Sequence, residues 1–228
     1  MLFNLHFLHG FLGFSSDWDI FKNYFLPYKF ITHSIESYLL STNYKPNYNN
    51  KEKNILIGYS LGGRLALHSL IEKNHQWDAA IIISAHPGLL NENEKEARIK
   101  NDEDWANRFL NEPWNSVVNA WDSQGIFSGQ KNNFNREENL YKREKIAKIL
   151  TEFSLGKQEN LRPMIKNIQI PILWLSGELD TKFALIGREM MSINKNIESI
   201  VIPHVGHRVP WEAPEKFVEL CLEFMKSI

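Results

Sequence analysis

The segment from Asn54 to Leu67 constrains the fold of this chain most, because an apolar run breaks at a Gly-x-Ser-x-Gly pentad and continues as a helix-forming sequence. Glycines at 58 and 62 flank Ser60, as a sharp strand-to-helix turn requires where backbone segments pass too close for side chains. The following helix aims free N–H groups at the turn, which favours anionic charge beside Ser60. The pattern predicts a nucleophile elbow with Ser60 at its apex.

Strand-like runs alternate with helical patterns along the rest of the chain, which predicts a mostly parallel α/β sheet with crossover helices on both faces. Between about 91 and 162 the pattern changes to charged helical stretches with several tryptophans and no convincing strand. We therefore expect one discontinuous core of residues 1–87 and 166–228, interrupted by a helical cap of residues 88–165. The strand runs lie at 2–8, 29–35, 54–57, 79–84, 170–175 and 197–202, and the core helices at 17–25, 61–72, 183–191 and 213–225.

Length and composition exclude several classes of function. A chain of 228 residues with 43% hydrophobic content can bury a core of its own. A net charge of −1 and no long basic run argue against nucleic acid or an anionic membrane as partner. The apolar opening lacks basic residues and contains Asn4, His6 and His9, so it predicts a buried strand and not a secretion signal. With Cys221 as its single cysteine, the chain is expected in the reducing cytoplasm.

A nucleophilic serine needs a base and an orienting acid, which in doubly wound sheets lie on loops at the carboxyl ends of strands. Two later loops supply them, because Asp180 follows the run at 170–175 and His207 follows the run at 197–202. The chain order serine, aspartate, histidine is the one expected for this topology. Ser60, Asp180 and His207 are therefore the predicted catalytic triad.

Two neighbouring residues compete for these roles, Glu178 with Asp180 and His204 with His207. Gly206 favours His207, since a glycine permits the tight turn that points the imidazole at the elbow. A zinc site on His204 and His207 would lack a third ligand. We expect neither a metal nor a cofactor.

The turn after the first strand reads Leu8-His-Gly-Phe-Leu-Gly13 and can present a backbone N–H toward the elbow. Together with the N–H of Leu61 it would form an oxyanion hole. The alternative is a plain glycine turn in which His9 has only structural partners.

Cationic and aromatic residues indicate an anionic ligand. Arg64 stands one helical turn after Ser60, so both side chains can share a face. An unpaired guanidinium packed beneath the sheet edge would be costly, which implies an anionic partner. In the cap, six residues could form an aromatic and cationic wall of the site, and we expect only some of them to reach the ligand. They are Arg98, Trp105, Trp114, Trp121, Arg136 and Arg143.

These segments together resemble the α/β-hydrolases and, more narrowly, the 2-succinyl-6-hydroxy-2,4-cyclohexadiene-1-carboxylate synthases of menaquinone biosynthesis. The resemblance spans nearly the whole chain. It implies an α/β-hydrolase fold with abbreviated N-terminal strands and an inserted helical cap. The ending after His207 is a variant of the usual one. The segments that carry the resemblance are the turn at 8–13, Gly58-Tyr-Ser-Leu-Gly-Gly-Arg64, Ser84-Ala-His-Pro-Gly-Leu89, Glu94–Arg98 with Trp105, 109–113, Gly177–Phe183 and Gly206-His207.

The resemblance implies a lyase that eliminates pyruvate from 2-succinyl-5-enolpyruvyl-6-hydroxy-3-cyclohexene-1-carboxylate, with Ser60 as a base and not an acylated nucleophile. It assigns the oxyanion hole to the backbone N–H groups of Phe11 and Leu61. The substrate is a small tricarboxylate, which arginines suit. The implied binding residues are Tyr59, Arg64, Arg98, Trp121, Arg143 and Lys182, with Arg136 or Lys142 as alternatives to Arg143.

Two other functions use the same fold. A carboxylesterase or carbon–carbon bond hydrolase would use the same triad, and only the anion-binding residues argue against it. A non-catalytic ligand-binding protein usually lacks part of the triad, which is complete here. We expect a monomer or a weak homo-oligomer.

Overall fold

A computed structural model describes residues 2–35, 52–72, 76–127, 130, 132, 134 and 136–228. Contacts within the chain divide it into two compact units. The first comprises Met1–Ala85 and Arg162–Ile228, and the second His86–Leu161. From the sequence we expected the inserted segment at 88–165.

The first unit is built on a six-stranded sheet in which every neighbouring pair is parallel, which confirms the predicted α/β architecture. The spatial order is β2-β1-β3-β4-β5-β6. The strands are β1 (Leu2–Leu8), β2 (Lys29–His33), β3 (Glu52–Tyr59), β4 (Ala79–Ile83), β5 (Ile172–Gly177) and β6 (Ile197–Ile202).

Helices follow or connect these strands. Those of the first unit are α1 (Leu61–Glu72), α5 (Arg162–Ile165), α6 (Thr181–Ile193), α7 (Val209–Glu212) and α8 (Pro214–Ser227), with a 3₁₀ helix at Ser15–Phe21. Those of the second unit are α2 (Glu92–Asn111), α3 (Trp114–Asp122) and α4 (Arg143–Glu152), with shorter 3₁₀ turns between and after them.

Several observed elements begin or end one or two residues from their predicted bounds, and two elements differ in ways that have a physical cause. The strand expected at 170–175 is β5 at Ile172–Gly177. It begins after Pro171, which has no N–H to donate to a ladder, and it continues to Gly177, which pairs with Ile202 of β6. The helix expected at 17–25 is a 3₁₀ helix at Ser15–Phe21, continued by turns in which the N–H of Tyr24 bonds to the carbonyl of Phe21. Such three-residue spacing is typical of short connecting helices.

Alternate residues of the strands cover the two faces of the sheet, as strand geometry requires. One face, with Leu5, Ile57 and Leu173, packs in a single apolar cluster with Phe217 of α8 and Trp18 of the 3₁₀ helix. The opposite face packs against α1 and α6. Each fully buried leucine, isoleucine or phenylalanine contributes roughly 1.5–3 kcal/mol. Helices on both faces therefore fix the sheet and, with it, the loops at its carboxyl edge.

The second unit is helical in the part that the structure describes. Helix α2 begins after Asn91, whose side chain accepts hydrogen bonds from the N–H groups of Asn93 and Glu94. The core of this unit is aromatic, and the Trp105 and Trp121 rings pack edge to face with their centroids 5.0 Å apart. Across the described ranges of both units, no helix is long and apolar enough to span a bilayer.

Candidate active site

The turn between β3 and α1 has the strained geometry that its glycines predict. Ser60 has a left-handed backbone with φ of 53°. Its N–H donates to the carbonyl of Ile83 at 2.9 Å, and its carbonyl accepts from the N–H of Arg64 at 3.0 Å. A Cβ on Gly58 would lie 2.8 Å from the Cα of Gly63, so a side chain there would collide with backbone. The turn thus sets Ser60 at the carboxyl edge of a central strand, with its side chain half-buried.

Three side chains from separate elements form a hydrogen-bonded row at this edge. The Nε2 atom of His207 lies 3.1 Å from Oγ of Ser60, and its Nδ1 atom lies 2.6 Å from Oδ2 of Asp180. Because the carboxylate can only accept, Nδ1 carries the proton and Nε2 is left to accept from the serine hydroxyl. His207 and Asp180 are 1% and 4% exposed, so water competes little for these bonds. This arrangement can deprotonate Ser60.

Aromatic rings flank the imidazole. The Phe183 ring meets that of His207 edge-on at 4.8 Å, and the Tyr59 ring lies 5.5 Å away. Tyr59 in turn packs edge to face on Trp211 at 4.9 Å. The apolar walls restrict the imidazole to orientations that keep both hydrogen bonds.

The two competing residues lie outside this row. The side chain of His204 is 93% exposed, and the backbone N–H of His204 donates to the Glu178 carboxylate at 2.9 Å. His207 has both ring nitrogens engaged by Ser60 and Asp180, which leaves none for a metal shared with His204. Over the ranges that the structure describes, no three histidine, cysteine or acidic side chains converge on a possible metal site.

The turn after β1 lies directly against the elbow. A Cβ on Gly10 would lie 3.4 Å from that of Ser60, and a Cβ on Gly62 would lie 2.5 Å from the carbonyl oxygen of His9. The N–H of Gly13 closes the turn on the carbonyl of Gly10 at 3.0 Å. Phe11 is carried within this turn, and Leu61 begins α1, where N–H groups have no intrahelical partner.

His9 stabilises the same turn. A purely structural role for His9 was the alternative to an oxyanion hole formed by this turn. Its Nε2 atom accepts from the backbone N–H of Ile35 at 3.2 Å, so the proton is on Nδ1. Nδ1 then donates to the carbonyl of Gly10 at 2.8 Å. A structural role for His9 and a donor role for the turn are therefore compatible.

The predicted binding residues of the first unit occupy different environments. Tyr59 is buried at the end of β3, whereas Lys182 is exposed in the first turn of α6. Arg64 is half-buried on α1, one turn beyond Ser60. Their binding roles remain predictions.

The predicted binding residues of the second unit have contacts within that unit. The Nε atom of Arg98 donates to both oxygens of the buried Asp102 at 2.9 Å. Arg143 donates to the carbonyls of Phe109 and Glu112, at 2.8 and 2.7 Å, and so caps the end of α2. The others also remain predictions: Trp121 packs on Trp105, the Arg136 guanidinium lies 4.4 Å from the Phe134 ring, and Lys142 precedes α4.

One residue near the row has no role in the expectations drawn from the sequence. The carboxylate of Glu212 accepts hydrogen bonds from the backbone N–H groups on either side of His207, those of Gly206 and Arg208. The available signal was an acidic residue shortly after the predicted base, within the segment Val209–Glu212 that is otherwise apolar.

The strand order, the elbow and the serine–histidine–aspartate row define the class of protein. They are features of α/β-hydrolases. The family described as alpha/beta hydrolase fold matches residues 27–214 of the chain.

More specific similarities point within that class. A Haemophilus influenzae protein provisionally named 2-succinyl-6-hydroxy-2,4-cyclohexadiene-1-carboxylate synthase is 30% identical, over 97% of this chain and 98% of that protein. A Klebsiella pneumoniae protein with that synthase name is 31% identical, over 78% of this chain and 70% of its own length. The structure of MenH from S. aureus superposes with a TM-score of 0.84 at 26% identity, covering 100% of this chain and 94% of that one. The chain belongs to the α/β-hydrolase superfamily and, within it, to the family of these synthases.

Proposed function

We propose that this protein is a carbon–oxygen lyase that eliminates pyruvate from 2-succinyl-5-enolpyruvyl-6-hydroxy-3-cyclohexene-1-carboxylate. The product is 2-succinyl-6-hydroxy-2,4-cyclohexadiene-1-carboxylate, and the reaction is a step of menaquinone biosynthesis. The observation that carries the proposal is the match with a relative of that name over 97% of this chain. The hydrogen-bonded row of Ser60, His207 and Asp180 supports it, because this row supplies the base that the elimination needs.

In the proposed reaction His207 takes the hydroxyl proton of Ser60 on Nε2. The Ser60 oxygen removes an acidic ring proton beside the succinyl group of the substrate. Asp180 holds the imidazole through Nδ1–H and stabilises its positive charge. No acyl-enzyme forms, so water is not a reactant.

The electrons of the broken C–H bond first spread onto the succinyl ketone. Backbone N–H groups of Phe11 and Leu61 donate to the resulting oxyanion, a contribution worth about 3–4 kcal/mol per donor in related sites. Return of these electrons to the ring forms a double bond between C2 and C3, the ring double bond shifts from C3–C4 to C4–C5, and the C–O bond from C5 to the enolpyruvyl group breaks. The leaving enolate takes up a proton and becomes pyruvate.

The substrate carries three carboxylates, and Arg64 is the proposed partner of one of them. It lies one helical turn beyond Ser60, so a carboxylate held by its guanidinium would lie near the reacting carbon. Arginine suits this role because its planar fork binds carboxylate oxygens in pairs.

Incubation with the enolpyruvyl substrate, with pyruvate followed by mass spectrometry, tests the proposal. The unmodified protein should release pyruvate and the conjugated diene in equal amounts, and Ser60→Ala should release neither above background. Unaltered substrate with the unmodified protein would overturn the proposal.

Replacing Arg64 with alanine should separate the lyase from an esterase. We expect kcat/KM for pyruvate release to fall roughly 10- to 100-fold, the value of a charge-assisted hydrogen bond to a carboxylate. Cleavage of a neutral nitrophenyl ester should change less than about threefold, because that compound offers no carboxylate to the guanidinium.

Arg188→Ala is the matched control, since Arg188 is exposed on α6. It should leave both activities at the unmodified level. Equal losses on both substrates in Arg64→Ala would favour a carboxylesterase or carbon–carbon bond hydrolase. Ligand binding without turnover by the unmodified protein would favour a non-catalytic binding protein.

A further inference from the structure

His207 stands in a tight turn between β6 and α7. The turn contains His204, whose backbone is left-handed with φ of 61°, and Gly206. The hydrogen bonds of the imidazole fix the ring but not the backbone that carries it. β6 ends at Ile202, and beyond it the N–H of Leu179 donates to the carbonyl of Val205 at 2.9 Å, a backbone bond made two residues before His207.

The carboxylate of Glu212 holds the turn from both sides of His207. Its Oε2 atom accepts from the N–H of Gly206 at 2.6 Å, and its Oε1 atom accepts from the N–H of Arg208 at 2.9 Å. Both amides belong to buried residues. A buried amide without a partner costs about 1–3 kcal/mol, so the two bonds keep the turn from opening.

Glu212 is itself held in place. Its backbone N–H donates to the carbonyl of Arg208 at 3.0 Å within α7. The neighbouring Trp211 donates from its indole to the carbonyl of Asp17 at 3.1 Å and packs on Tyr59, whose ring flanks the imidazole. The carboxylate is therefore anchored to the same structure that forms the walls around His207.

We propose that Glu212 is a positioning residue for the base of this enzyme. Its two oxygens fix the peptide groups before and after His207, and so keep Nε2 at hydrogen-bonding distance from Ser60. The inference rests on the proposed function only in taking the Ser60–His207 pair as the reacting base. Glu212 acts through His207 and contacts no reacting atom in this scheme.

The chemistry of the side chain sets what each substitution does. Glutamine keeps one acceptor oxygen, but its NH₂ group turns a donor toward the second amide. Aspartate keeps the charge and both acceptors on a side chain one methylene shorter, which cannot bridge the same two amides. Both variants preserve most of the local packing.

The test compares Glu212→Gln and Glu212→Asp with Glu215→Gln, a control at an exposed glutamate in the first turn of α8. Two rates are measured on protein shown to be folded by its near-ultraviolet circular dichroism. One is kcat for pyruvate release, with KM. The other is the labelling of Ser60 by a fluorophosphonate, which reports activation of the hydroxyl without any role for the substrate.

We expect both Glu212 variants to lose about 10- to 100-fold in kcat and in labelling rate, the scale of a displacement near 1 Å, with KM within about threefold of the unmodified value. Glu215→Gln should keep both rates. A merely structural role would lower the unfolding midpoint but leave kcat per folded molecule unchanged. If either folded Glu212 variant keeps the unmodified kcat and labelling rate, the positioning role is overturned.

The two readouts also separate the two proposals. Loss of Ser60 labelling in the Glu212 variants of a protein that never releases pyruvate would keep the positioning role and overturn the proposed reaction. Normal pyruvate release and normal labelling in those variants would support the proposed reaction and overturn the positioning role.

Discussion

Ser60 combines a reactive hydroxyl with a backbone conformation that costs free energy. Its φ of 53° lies in the left-handed region, which is unfavourable by roughly 1–2 kcal/mol for a residue with a Cβ. The surrounding bonds compensate, because the N–H donates to Ile83 and the carbonyl accepts from Arg64. The strained conformation points the hydroxyl at His207 and is therefore part of the site.

Comparing Ser60→Gly with Ser60→Ala measures this strain. Both variants should be inactive, but glycine removes the Cβ that makes the conformation unfavourable, whereas alanine keeps it. Glycine also has more conformational entropy than alanine in the unfolded chain, which offsets part of this gain. We expect the measured result to be that Ser60→Gly is more stable than Ser60→Ala by about 0.5–1 kcal/mol. Urea unfolding at neutral pH gives the difference. An alanine variant more stable than the glycine variant by the full entropy difference, about 0.4–1 kcal/mol, would show that the turn stores no strain.

At the scale of elements, the site depends on how closely α1 approaches the turn after β1. The approach leaves no room for a side chain at Gly62, whose Cβ would lie 2.5 Å from the carbonyl oxygens of both Leu8 and His9. Both are backbone atoms, so a rotamer change cannot relieve the contact. Phe11 lies two residues after His9 in the same turn, so the packing of α1 against this turn affects the position of one proposed oxyanion donor.

Gly62→Ala should therefore harm stability and activity together. Overpacking against backbone costs about 1–3 kcal/mol, and displacement of the turn should lower kcat for pyruvate release by more than about tenfold. Gly125→Ala is the matched control, because a Cβ on Gly125 meets nothing within 4 Å. Its unfolding free energy should stay within about 0.5 kcal/mol of the unmodified value. Similar effects of the two substitutions in urea unfolding and in the pyruvate assay would contradict this account.

The features that could be predicted from the sequence are those with a local pattern. The glycines around Ser60 mark a strand-to-helix turn within one pentad, and the alternation of strands and helices defines the parallel sheet. Gly206 distinguished His207 from His204, which is exposed. The two hydrogen bonds that Glu212 accepts could not be predicted, because they depend on a side chain folding back onto two amides of a turn. The tautomer of His9 depends likewise on the N–H of Ile35.

At the scale of the whole molecule, a buried polar cluster links three strands on the sheet face opposite α8. The Nδ1 atom of His6 on β1 lies 3.1 Å from Nε2 of His33 on β2, and Nε2 of His6 lies 3.4 Å from Oδ1 of Asn54 on β3. Trp77 packs edge-on against His6 at 5.2 Å. Burial lowers the pKa of His6 and of His33 from 6.5 to about 4, and for His6 the neighbouring His33 adds to the effect. The folded protein thus holds both rings neutral where the unfolded chain would protonate them.

This difference predicts how the free energy of unfolding depends on pH. Between pH 6.5 and about 4 the unfolded chain binds more protons than the folded one, so the free energy of unfolding falls as the pH falls through this window. Above pH 6.5 both rings are neutral in both states, so they add no pH dependence there. Glu52, on the same cluster, has a pKa lowered from 4.5 by hydrogen bonds from Lys29 and Asn4, so it contributes only at lower pH. Urea unfolding between pH 7.5 and 5 should show a loss of roughly 3 kcal/mol below pH 6.5, about half of it from each ring. The double variant His6→Gln/His33→Gln should have a flatter profile over that range, whereas His204→Gln, at an exposed position, should keep the unmodified slope. Parallel profiles for all three proteins would mean that this cluster does not couple protonation to folding.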